Sequence, residues 1–330
     1  MAIAIAGVAT VLALGLIYEQ VSRRRDARRP VPGKRIELDG YRLHMTDTGK
    51  DGPPVVLVHG AGDCSYSWIH VSKQVAPFAR VIAYDRPGMG SSDPGPEPTP
   101  EQTVQVLDRL LDKAGVTGPV ILAGHSLGGL IARLYAMEYP HKVAGLVFLD
   151  STHEFLVRDA KFKQGFAAIG VALKIMRVLS PFGIPRFLGN AFGAIPMFGH
   201  ERSYYKQQLS PDEYRQWKGI VYGMFARKAA EAEFNQVDAH LRAAENRMNA
   251  APKPQFGDLP VAVVNNPGFG ENWTKMQQEL ASRSTNHIHA TSDRKGHSLQ
   301  MPRPELVVNA IRHVVEQVRA RGSRTLAERE

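Results

Sequence analysis

Along this chain, short runs of Val, Ile and Leu alternate with stretches whose apolar residues recur every three or four positions. Residues 54–58 (PVVLV) carry no polar break and read as a fully buried strand. Residues 80–84, 119–123, 143–149, 260–264 and 287–290 read as further strands. Helical spacing fills the intervals at 65–78, 99–114, 127–139, 273–282 and 304–320. In 99–114, Val104, Leu107, Leu110 and Leu111 fall on one face. Ahead of this rhythm, 35–38 and 41–47 flank Asp39–Gly40 and predict an antiparallel hairpin, because Asp-Gly favours the positive φ of a tight primed turn. Strand alternating with helix is the pattern of a mostly parallel, doubly wound α/β sheet.

The alternation stops between about 155 and 254. That interval holds no buried-strand pattern, only helical stretches broken at Pro181, Pro185, Gly189 and Pro196. It reads as a helical cap inserted over one edge of the sheet. Residues 166–198 are apolar with scattered Lys and Arg. Most must pack on the body, and the rest line an apolar pocket or face lipid.

Residues 2–18 (AIAIAGVATVLALGLIY) contain no charge and are followed at once by a run of arginines. A helix of that length covers about 25 Å, at the short end for a bilayer span. The position of the arginines predicts an uncleaved single-pass anchor, with the body on the cytoplasmic side. A cleaved signal peptide is the alternative. The organisation expected is anchor 1–22, basic linker 23–34, first part of the core 35–154, helical cap 155–255, second part of the core 256–320 and a flexible tail 321–330.

Charge changes this picture little. The net charge is +9, of which +5 lies in residues 1–35, so the excess reads as membrane topology rather than a nucleic-acid face. Hydrophobic residues make up 43% and charged residues 22%, as in a packed globular protein. Cys64 is the single cysteine, which excludes a disulfide framework within the chain. Its place just past a Gly-rich turn suggests a thiol at a pocket entrance.

Gly124-His125-Ser126-Leu127-Gly128 fits G-x-S-x-G and lies between a predicted strand and a predicted helix, the context that motif requires. A reversal from strand to helix within one residue strains Ser126 and exposes its Oγ. The following helix aims its N-terminal N–H groups and positive dipole end at the same place. The strand 54–58 runs into His59-Gly60-Ala61-Gly62, whose turn can offer backbone N–H groups. The Ala61 and Leu127 N–H groups are the expected oxyanion donors, each worth about 3 kcal/mol in the transition state. His59 is read as ordering this loop, and the His125 side chain is expected to point away from the pocket.

The hairpin, HGAG, YDRPGMGSS, GHSLGG and a late Gly-His before a helix together resemble the capped α/β-hydrolases, over roughly residues 35–319. The resemblance implies an α/β-hydrolase fold with Ser126 as nucleophile and His297, after Gly296, as general base. His287 and His289 alternate on a strand and read as sheet or surface residues. Many relatives carry an Asp after the strand at 260–264, but here that loop reads NNPGFGENW. Other members draw the acid from the end of the strand that here finishes at Asp150, which also keeps the order Ser, Asp, His. Asp150 is therefore the expected acid, with Glu271 and Asp293 in reserve and Asp85 and Asp93 read as structural. Epoxide hydrolases and haloalkane dehalogenases of the fold use an Asp nucleophile, against which Ser126 argues.

The activity this implies is cleavage of a carboxylic ester, with a hydrophobic acyl group, through an acyl-enzyme on Ser126. No metal or organic cofactor is required. The expected partners are a small-molecule ester or lipid and, through the N-terminal helix, a membrane. An acyltransferase using the same triad and a non-catalytic ligand-binding or scaffold relative remain as alternatives.

Overall fold

The computed structural model describes residues 1–49, 52–192 and 202–327. The chain opens with helix α1 (Ala2–Ala27) and a hairpin of β1 (Lys34–Leu38) and β2 (Tyr41–Thr48). It continues through β3 (Val55–Val58), α2 (Ile69–Val75), β4 (Val81–Tyr84), α3 (Pro100–Lys113), β5 (Val120–His125), α4 (Leu127–Glu138) and β6 (Val143–Leu149). Among the described residues, six α-helices follow: α5 (Ala160–Leu179), α6 (Ile184–Phe192), α7 (Arg202–Gln208), α8 (Pro211–Phe225), α9 (Lys228–Asn235) and α10 (Val237–Ala250). The chain returns to the core with β7 (Val261–Asn265), α11 (Glu271–Ser282), β8 (His287–Thr291) and α12 (Pro304–Ala327).

The strands form one sheet in the order β1-β2-β4-β3-β5-β6-β7-β8. β2 runs antiparallel to both its neighbours, and the pairs from β4 across to β8 are parallel. Central strands buried on both faces need apolar residues at every position, which is why β3, β4 and the start of β5 read as unbroken Val/Ile/Leu runs. One apolar layer joins the sheet to α3, α4 and α10, and the other joins it to α2 and α12. The parallel registers Val58↔Gly124, His125↔Leu149 and Leu149↔Val264 bring the C-terminal ends of β3, β5, β6 and β7 to one edge. Loops from those ends build the site.

α5 to α10 form the inserted cap. Its apolar cluster, in which Tyr205 and Trp217 stack at 4.3 Å, is shared with Cys64, Tyr66, Met89 and Met301 of the body.

Several boundaries differ from expectation. Nothing in RRRDA breaks a helix, so α1 runs to Ala27, through residues expected as linker. The helix expected at 65–78 starts as a 3₁₀ turn, Ser65–Trp68, because Asp85 Oδ1 takes the Ser65 N–H at 2.6 Å and the Ser67 hydroxyl bonds the Cys64 carbonyl. α12 continues past residue 320, where a flexible tail was expected, and Arg321 reaches the Asp258 carboxylate at 3.0 Å. Residues 328–330, and residues 193–198 of the apolar cap stretch, lie outside the described residues. α1 and the segment 160–182 are both long and apolar enough to cross a bilayer.

Candidate active site

Ser126 occupies the single residue between β5 and α4, with φ 52° and ψ −120°. A non-glycine residue held there costs about 1–3 kcal/mol, a strain the surrounding packing must hold. The glycines of the motif make the bend possible. A Cβ on Gly128 would sit 2.1 Å from the Val58 carbonyl oxygen, and one on Gly124 would sit 2.4 Å from the Gly128 carbonyl oxygen. The Ser126 hydroxyl lies 3.4 Å from that of Thr152.

Asp150 closes β6, again with positive φ (42°), and is fully buried. Its Oδ2 accepts the His297 Nδ1–H at 2.6 Å and a further bond from Asn266 Nδ2. Its Oδ1 accepts Trp273 Nε1–H at 2.6 Å and the Asn266 backbone N–H at 3.2 Å. With its Nδ1–H donated to Asp150, the neutral His297 ring carries no proton on Nε2. His297 and Ser126 both line one cavity. The reserve acids lie elsewhere. Glu271 is exposed and pairs with Lys275 at 2.7 Å, and Asp293 is exposed and pairs with Arg303. Asp85 is buried and bonds His44 Nδ1 at 2.8 Å, while Asp93 bonds Arg42 at 2.8 Å. His287 Nδ1 bonds the Ser284 carbonyl and His289 Nε2 bonds Asn265.

His125 departs from expectation. Its ring is not turned away but forms part of the cavity wall, 4.6 Å from the His297 ring. Its Nε2–H donates to the His297 carbonyl at 2.9 Å and Gln300 donates to its Nδ1 at 3.4 Å. Burial, then the neighbouring His297, pushes its pKa well below the usual histidine value, so it is a neutral brace for the His297 loop. The reason is geometric: β5 ends one residue before the bend, and the space on that side is filled by the loop carrying His297. Cys64 likewise does not face an entrance. It is buried, and burial pushes its thiol pKa well up, which removes the basis for expecting it to react with bulky reagents.

The turn after β3 lies against Ser126. A Cβ on Gly60 would come within 3.3 Å of Ser126 Cβ and 2.9 Å of His125 Nδ1. Ala61 and Leu127, the expected oxyanion donors, follow Gly60 and Ser126 respectively, and Ala61 lines the cavity. The turn is gripped from both sides. Buried Arg86 donates to the His59 carbonyl at 2.6 Å and the Gly60 carbonyl at 2.7 Å. Buried Glu233, on cap helix α9, accepts from Arg86 Nε at 2.5 Å and from the Gly62 N–H at 2.9 Å. Burial alone would raise the Glu233 pKa, but the adjoining Arg86 guanidinium outweighs it and holds the carboxylate below its usual range. His59 donates Nδ1–H to the Gly60 carbonyl at 2.9 Å and accepts the Arg86 N–H at Nε2, 3.3 Å away. Burial, helped by Arg86, pushes its pKa down to about 4. It orders the loop, as expected, and does so as a neutral ring. Sequence reading missed Arg86, Glu233, Asn266 and Trp273. Only the first had a local signal, its place in the YDRPGMGSS turn.

The cavity holds about 640 Å³ and lies between the sheet edge and the cap. Ser126, His297 and Thr152 meet it on the core side, and Leu156, Phe162, Phe166, Ile169, Phe234 and Met276 give it a largely apolar wall. Such a vessel suits an apolar group beside a hydroxyl.

With this geometry in view, comparison with known proteins bears on the fold. Residues 53–168 match the family model of the alpha/beta hydrolase fold. The chain has the α/β-hydrolase fold, with a helical cap inserted after β6. Over 307 residues it is 25% identical to a probable transporter, efuK, of Hormonema carpetanum, covering 87% of this chain and 43% of that protein. Over 129 residues it is 35% identical to a cis-3-alkyl-4-alkyloxetan-2-one decarboxylase of Xanthomonas campestris pv. campestris, covering 36% of this chain and 43% of that one. Among solved structures, a thermophilic esterase from Thermogutta terrifontis superposes with a TM-score of 0.63 at 21% identity, covering 87% of this chain and 99% of that one. The chain spans less than half the length of these curated relatives.

Proposed function

We propose that this protein is a serine hydrolase that cleaves a carboxylic ester with an apolar acyl group, and that α1 holds it at a membrane. His297 Nε2 takes the Ser126 proton as Oγ attacks the ester carbonyl. Asp150 keeps the imidazole in the Nδ1–H tautomer and stabilises the imidazolium. The oxyanion is met by the Ala61 and Leu127 N–H groups at the positive end of α4. His297 then protonates the leaving alcohol, and water, activated by the same imidazole, releases the acid from Ser126. The observation that carries this reading is the Asp150–His297 bond of 2.6 Å beside a serine held at a strained bend in one apolar cavity. The arginines after the apolar run of α1 favour a cytoplasmic body.

The test is a series of p-nitrophenyl esters of increasing acyl length, with Ser126→Ala as control. Hydrolysis should rise from acetate to longer chains and vanish in the variant. Turnover that survives Ser126→Ala would overturn the reading.

A further inference from the structure

The end of the apolar run of α1 does not swing free of the body. Gly15 lies so close to the cap that a Cβ there would be 2.4 Å from the Phe182 carbonyl oxygen, and the Tyr18 ring lies against Gly183. The Tyr18 hydroxyl accepts from Asn190 Nδ2 at 3.2 Å. The next residue, Glu19, is only 3% exposed. Its carboxylate accepts from Arg186 Nε at 2.8 Å, and the same guanidinium donates to Asp26 at 2.7 Å. Arg186 is itself buried, over the Tyr222 ring at 4.9 Å. A buried, doubly paired arginine between two elements fixes their mutual position.

This clamp sets the level of the cap. The change from apolar to charged sequence in α1 falls at Tyr18–Glu19, and tyrosine is favoured where hydrocarbon meets headgroups. The cap residues at that level belong to α6 and the turn before it. α6 turns Pro185, Arg186 and Gly189 inward and leaves Phe187, Leu188 and Phe192 exposed. α5, packed on the same turn, is two-faced. Phe166 and Ile169 line the cavity, while Val171, Ile175 and Val178 form an exposed stripe at helical spacing. α5 is apolar enough to cross a bilayer, but its inner face is committed to the cavity and the cap cluster, so it lies along a surface. Lys174, Arg24, Arg25 and Arg28 are exposed and long enough to reach headgroups.

We propose that the exposed apolar face of α5 and α6 is seated in the headgroup–acyl boundary of the bilayer that α1 enters, so that the ester reaches the catalytic cavity from the membrane. This rests on the reading of α1 as a membrane anchor. α5 is then the partition between bilayer and cavity, and the substrate class narrows to esters that dissolve in a lipid leaflet.

Full-length protein is reconstituted into phosphatidylcholine vesicles containing a minority of phosphatidylglycerol, with acyl chains brominated near the headgroup end. Tryptophan is introduced on the cap (Phe187→Trp and, separately, Phe192→Trp) and on core strand β8 as control (Ile288→Trp). The native Trp68, Trp217 and Trp273 are buried and give a common background. The two cap variants should lose most of their added emission to the brominated lipid, and the core variant should keep it. Protein that floats with the vesicles while both cap tryptophans stay bright overturns the seating, whether water or a second copy of the chain covers that face. Protein that does not float overturns the anchor reading, and the seating with it.

Discussion

In the proposed mechanism, Asp150 is the residue on which the chemistry turns. Removing its charge while keeping its shape, by Asp150→Asn, should lower kcat on the order of 10⁴-fold, because the imidazole loses both its tautomer and its counter-charge. Glu271→Gln and Asp293→Asn, which alter exposed residues, should leave kcat within about two-fold, as surface changes ordinarily do. Steady-state kinetics on one ester compares all three. Fully active Asp150→Asn would remove it from the site. At this scale the bend at Ser126 was legible, because a reversal within one residue demands glycines at fixed spacing and so leaves a local pattern. The donors that hold Asp150 were not. Asn266 and Trp273 lie 116 and 123 residues away, and nothing near either marks the partner. His125 was misread for the same reason, since its direction is set by a loop 172 residues further on.

Between elements, the cap does more than cover the cavity: α9 supplies Glu233 to the turn that carries Ala61. Glu233→Ala leaves Arg86 buried without its counter-charge and should destabilise the protein by about 3–5 kcal/mol. In Glu233→Gln, which keeps the acceptor for Gly62, kcat should fall more than KM rises. A pure KM effect would show that the turn does not depend on the cap. The same turn predicts acid sensitivity. Folded His59 resists protonation until about pH 4, whereas the unfolded chain takes that proton near 6.5. Between those values the unfolded state binds more protons, so the contribution is complete above pH 6.5 and is lost as pH falls towards 4, by about 3 kcal/mol. Glu233, whose pKa is lowered, acts in the same direction below the ordinary carboxylate value. His44 acts oppositely. Burial lowers its pKa, but Asp85 outweighs that and raises it, so its contribution is lost as pH rises through the raised value. The Tm of wild type should therefore fall between pH 7 and pH 5 more than that of His59→Asn; parallel curves would contradict the buried, neutral His59. The central strands were legible one by one, because strands buried on both faces show as unbroken apolar runs, and β1 and β2 were legible from the Asp-Gly turn between them. The helix starting at Ser65 was misplaced because the side chain of Asp85, just past β4, claims its first N–H.

For the molecule as a whole, α1 and the cap are one mechanical unit. Glu19→Gln weakens a buried pair and should loosen α1 from the cap, seen as faster protease cleavage after residues 23–29 in detergent-solubilised protein, with ester hydrolysis retained. Unchanged cleavage would mean that Gly15 and Tyr18 hold the helix alone. The long apolar helix was legible from its composition, but the clamp was not. Glu19 and Arg186 are 167 residues apart, and each alone reads as an ordinary surface charge. The central claim concerns Ser126, and covalent labelling reads it most directly. Full-length protein treated with a fluorophosphonate and mapped by peptide mass should carry one adduct, on Ser126, absent from Ser126→Ala and formed far more slowly in His297→Ala. No adduct on wild type, or one that persists in Ser126→Ala, would contradict it.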